Sequence, residues 1–124
     1  MKKLIVFIFV ISLFSCKTDN NYQLYAKTTL DTLQNWYNSE TGLYETTSWW
    51  NAANALTAII DYSKITGSKD YLDVIDNSFE ICKEFEVKMP DQNNNWICKN
   101  FINDYYDDEG WWILAWIKAY ELTK

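Results

Sequence analysis

The chain has 124 residues, 11 of them lysines with no arginine, against 17 acidic residues and no histidine, for a formal charge of −6. So few cations argue against nucleic acid or phosphate-rich partners, which are held by clustered Lys and Arg. The lack of histidine argues against Ser-His and Cys-His nucleophilic sites and the usual zinc centres, leaving carboxylates as the abundant acid/base groups, and no metal or cofactor is expected.

The chain opens with MKKLIVFIFVISLFSC, in which Lys2 and Lys3 precede an apolar run from Leu4 to Phe14 and then Ser15-Cys16. That run is too short to cross a bilayer and reads as a secretory signal. Its end, Leu13-Phe14-Ser15-Cys16, resembles the lipobox of bacterial lipoproteins, where cleavage before the cysteine is followed by lipidation of the new amino terminus. A cleaved signal without lipid is the alternative. The expected product is exported and membrane-anchored through lipid on Cys16, in the periplasm or at the cell surface. Residues 1–16 are then the leader, 17–21 a polar tether and 22–124 the folded part, and loss of Lys2 and Lys3 takes the charge from −6 to −8. In an oxidising compartment Cys82 and Cys98 could pair, yet Cys82 lies in an apolar helical stripe where a buried free thiol is as reasonable.

Four helices follow. The first is expected from about Tyr22 to Trp36-Tyr37, with Leu24, Leu30, Leu33 and Tyr37 at helical spacing. The stretch NSETGLYETTS breaks it, Gly42 giving the turn and Ser48 a possible N-cap. The second, WWNAANALTAIIDYSKI, stops at Thr66-Gly67. The third starts near Asp70 with Leu72, Ile75, Phe79 and Cys82 in one stripe. After a long polar segment beyond Met89-Pro90, the fourth is expected to open at Glu109.

The first and third helices are amphipathic, whereas the second and fourth are apolar nearly all round. A helix apolar on every side must be covered on every side, so the second and fourth are expected inside and the others outside. AIIDYSKITG (Ala58 to Gly67) can be laid over AWIKAYELTK (Ala115 to Lys124) at an offset of 57 residues, and both inner helices begin with Trp-Trp. The implied unit is one outer-plus-inner hairpin. Two such units leave inner flanks uncovered, which points to an incomplete piece of a larger helical ring or to part of an assembly.

Two stretches, SWWNAANALTAIIDY and above all NFINDYYDDEGWWILAWIKAYELT, resemble glycoside hydrolase family 76, the endo-α-1,6-mannanases. The resemblance implies an all-α fold, an (α/α)6 barrel of helical hairpins with its cleft at one end, here an incomplete barrel of about two hairpins. It also implies a retaining hydrolase of α-mannan or manno-oligosaccharides, with Asp107 as nucleophile and Asp108 as general acid/base. The residues agree with such a role: consecutive aspartates on a loop just before a helix can face one cleft, and retaining glycosidases need carboxyls about 5–5.5 Å apart, one ionised and one protonated. Mutual repulsion then pushes their proton affinities apart.

Other readings stand beside this one. Asp108-Glu109 at a helix start is also what N-capping and the helix dipole favour. A calcium loop fits poorly, since the acids lack the alternate spacing of an EF-hand. Trp49, Trp50, Trp111 and Trp112 can stack on sugar rings or simply pack the core, and one of each pair is expected to be buried. Asn51, Asn54, Tyr105 and Tyr106 are candidate partners for sugar hydroxyls. The competing functions are a noncatalytic glycan-binding surface lipoprotein and an inactive truncated product.

Overall fold

The computed structural model describes residues 21–45, 49–83, 87–90, 95–98 and 100–124, the strand residues 87–90 and 95–98 by their backbone alone. The leader with Cys16, most of the tether and Ser48 lie outside the described residues. In chain order the elements are α1 (Asn21–Leu33), a 3-10 turn (Gln34–Trp36), β1 (Tyr37–Asn38), β2 (Leu43–Tyr44), α2 (Trp49–Thr66), α3 (Leu72–Cys82), β3 (Val87–Pro90), β4 (Asn95–Cys98) and α4 (Tyr106–Thr123). The class is all-α, with two small antiparallel strand pairs, β1-β2 and β3-β4, added to the four helices.

Several boundaries differ from expectation for local reasons. The first helix stops at Leu33, so Tyr37 belongs to a strand and pairs with Tyr44, while Asn38 pairs with Leu43. Asn38 makes this turn: its Oδ1 accepts the backbone N–H groups of Glu40 (2.8 Å) and Thr41 (3.3 Å), the local bonding that lets Asn compete with helix. Gly42 completes it at φ +70, a conformation costly for other residues. The stop after α2 is as read: Gly67 has φ +72 and donates its N–H to Ser63 O at 2.9 Å. The third helix starts at Leu72 behind Tyr71, close to the expected Asp70, and the fourth starts at Tyr106, not Glu109.

The core is built around α2. Trp49, Ala52, Ala53, Leu56, Ile59 and Ile60 are all buried, joined by Leu30 from α1, Leu43 and Tyr44 from β2, Ile75 and Cys82 from α3, and Trp112 and Ala115 from α4. Each fully buried large apolar side chain contributes about 1.5–3 kcal/mol. Helices α2 and α4 run parallel along each other. Trp49 meets Trp112 (ring centroids 4.8 Å) and Trp50 meets Trp111 (6.4 Å) at their starts. Further along, Lys118 Nζ lies 2.7 Å from Asp61 Oδ1 and Lys64 Nζ lies 2.6 Å from Glu121 Oε2. Both amino-terminal ends therefore share one end of the molecule.

Helix α3 is held by the β1-β2 turn and by α1. Tyr37 Oη contacts Val74 O (3.3 Å) and Ser78 Oγ (3.1 Å), and Tyr71 Oη donates to Asp31 Oδ1 at 2.8 Å. Cys82 is a buried free thiol. Its sulfur lies 3.5 Å from Thr41 O, and burial pushes the thiol up to about 12.

Candidate active site

The aspartate pair sits in the first turn of α4, not on the loop before it. Tyr105 is the extended N-cap (φ −120, ψ 110), and its carbonyl accepts the N–H of Glu109 at 3.2 Å, so the helix has already begun when the chain reaches Asp107. The loop expectation fails because consecutive acids are at home in a first helical turn, where they face unpaired N–H groups. Adjacent side chains on a helix diverge by about 100°. Here that divergence separates the pair: Asp108 is 6% exposed, whereas Asp107 is open to solvent.

Burial raises the proton affinity of Asp108 above that of an ordinary carboxyl; a hydrogen bond from Asn103 opposes the rise and the charge of Asp107 adds to it. That bond is short, Asn103 Nδ2 to Asp108 Oδ2 at 2.7 Å. Asn103 is itself fixed twice more. Its Oδ1 accepts the N–H of Tyr105 (2.9 Å), and its own N–H donates to Glu109 Oε1 (3.3 Å). The acid turn is thus laced to the preceding loop through one asparagine.

Behind the turn lies an aromatic cluster. Phe101 packs against Trp49 (6.3 Å), Trp112 (5.1 Å), Trp116 (5.0 Å) and Phe79 (6.0 Å). Asn100 and Phe101 both have positive φ, 55 and 62, and for a bulky residue such as Phe101 this left-handed conformation is strained. Ring packing holds it there. Among the described residues the indole N–H groups of Trp49, Trp112 and Trp116 have no hydrogen-bond partner, so this cluster is built for apolar contact.

Each tryptophan pair is divided. Trp49 and Trp112 are 1% exposed and cannot reach a sugar as placed here, so their part is core packing, while Trp50 (40%) and Trp111 (42%) lie open beside each other. Tyr105 and Tyr106 are exposed on the same turn, and Asn51 and Asn54 are half-buried on the first turns of α2, Asn54 donating to Trp50 O at 3.3 Å. A family model described as glycosyl hydrolase family 76 matches residues 18–124. The chain belongs to that family. No curated protein and no solved structure matches it. Membership in family 76 makes this a glycoside-hydrolase chain, with a glycan as its class of substrate.

Two participants escaped the sequence reading. Asn103 was legible in principle, because Asn two residues ahead of a helix cap is a frequent side-chain-to-backbone turn former. Phe101 carried no such signal, since nothing in an aromatic residue announces positive φ.

Proposed function

We propose that Asp107 and Asp108 are the nucleophile and the general acid/base of a retaining glycoside hydrolase acting on α-1,6-linked mannan. The observation that carries this reading is the unequal setting of two adjacent carboxyls, one buried with raised proton affinity and one in the open. The open carboxylate of Asp107 attacks the anomeric carbon as its bond to the leaving oxygen breaks, and Asp108 gives that oxygen its proton. A glycosyl ester on Asp107 results. Asp108, now ionised, takes a proton from water as the water oxygen attacks the same carbon and frees Asp107. Trp50 and Trp111 offer ring faces to the sugar, with Tyr105, Tyr106, Asn51 and Asn54 as hydroxyl partners. Export and lipidation at Cys16 would hold the protein where polymeric mannan is met.

The test grafts this segment onto the remaining hairpins of a family 76 enzyme and measures new reducing ends from α-1,6-mannan. Asp107→Asn should abolish turnover. Asp108→Asn should cost least on aryl mannosides, whose leaving group needs no proton. Near-normal rates on mannan in both variants would refute the assignment, and mannan binding without any new reducing ends would favour a glycan-binding role.

A further inference from the structure

The acid assigned to Asp108 has two oxygens, and the surrounding atoms distinguish them. Asn103 Nδ2 stands 2.7 Å from Oδ2. The side-chain amide cannot turn to offer its oxygen instead, because Oδ1 of Asn103 is occupied by the Tyr105 N–H at 2.9 Å, while the Asn103 N–H is tied to Glu109 Oε1 at 3.3 Å. An amide nitrogen donates and never accepts, so Oδ2 must be an acceptor whether Asp108 is charged or neutral. The carbonyl oxygen of a neutral carboxyl is a better acceptor than its hydroxyl oxygen, so this bond favours Oδ2 as the carbonyl and Oδ1 as the oxygen that carries the proton.

We infer that Asn103 is a positioning residue for the acid step: pinned by Tyr105 and Glu109, its amide favours Oδ1 of Asp108 as the atom that holds and delivers the proton. This rests on the catalytic reading of Asp108 given above. The same bond stabilises the ionised form that must appear once the proton has left. The acidic neighbours of Asp108 are Asp107 and Glu109 on its own helix and Asp104 in the loop, while the first turn of α2, joined to α4 through Trp49 and Trp112, carries no acid or base. Asn103 is thus the group that counters burial and like charge at this carboxyl.

The experiment titrates the Asp108 side-chain carboxyl by carbon NMR in the full chain, assigned by loss of its signal in Asp108→Asn. Asn103→Ala removes the donor. Asn103→Ser also removes it but leaves a hydroxyl oxygen for the Tyr105 N–H, so the turn has a second route to folding. With the near-ultraviolet aromatic signal unchanged, either variant should bind the Asp108 proton at least about threefold more tightly. In the grafted barrel the basic limb of the kcat/KM profile should move up in step. An unmoved Asp108 titration in the folded Ser variant would overturn the proposal. A shifted titration with no hydrolysis by any form would leave Asn103 in place as the positioner and overturn the catalytic reading alone.

Discussion

Helices α2 and α4 are two versions of one element: each has 18 residues and carries a tryptophan pair near its amino-terminal end, at the first position of α2 and after the acidic first turn of α4, and each is rich in apolar residues. Their surroundings differ. Along α2, Trp49, Ala52, Ala53, Leu56, Ile59 and Ile60 are sealed beneath α1, β2 and α4. Along α4, Trp112, Ala115 and Ala119 are buried, yet Ile113, Leu114, Ile117 and Tyr120 are exposed. Composition made both helices eligible for the interior, and the number of neighbours decided which one is the better covered. The same chemistry thus yields a core on one helix and an apolar outer face on the other.

Substitutions of one leucine on each helix sharpen the contrast. Leu56→Ala on α2 should lower unfolding free energy by about 2–5 kcal/mol, whereas Leu114→Ala on α4 should stay within about 0.5 kcal/mol, both read from denaturant midpoints by circular dichroism. Equal losses would mean that α4 is as well covered as α2. A smaller effect is expected where the first unit grips α3. Gly42→Ala forces φ +70 on alanine and brings its Cβ to 3.1 Å from Ser78 Cα, so a loss of about 1–2 kcal/mol should appear, with faster alkylation of the now less protected Cys82. Unchanged Cys82 labelling would show that the turn does not hold this helix. Smallest of all, Lys118→Asp should cost about 0.2–1 kcal/mol through loss of the Asp61 pair, and adding Asp61→Lys should return most of it.

Much of this was legible because it depends on pattern. Helical periodicity located four helices, the apolar character of two of them marked the pair that pack on each other though not the exposed side of α4, and the 57-residue offset of the repeat is also the spacing of the Asp61–Lys118 pair. The turn at Gly42 was legible, but the β1-β2 pairing around that turn was hidden because Tyr37 suits a helical stripe as well as a strand, and only the bonds from Asn38 decide between them. Burial of Leu43 and Tyr44 follows from that turn and was hidden with it. At the site, residue identity marked the acids, but which of Asp107 and Asp108 turns inward depends on a helix start three residues earlier than expected. The expected free or paired state of Cys82 resolves as a free buried thiol.

The two ion pairs between the inner helices have a property that distances alone do not convey. Asp61 and Lys118 occupy equivalent places in the repeat, as do Lys64 and Glu121, so each bridge joins a position to its own counterpart with the sign reversed. A faithful duplication would have set Asp against Asp and Lys against Lys. The reversal makes α2 and α4 heterotypic partners: either helix, laid parallel and in register on another copy of itself, would meet its own charge. Such pairs add little binding energy, but like-charge opposition penalises the wrong match, and choice of partner is a difference between two affinities. Between two closely similar apolar surfaces, that sign reversal is what tells one helix from the other.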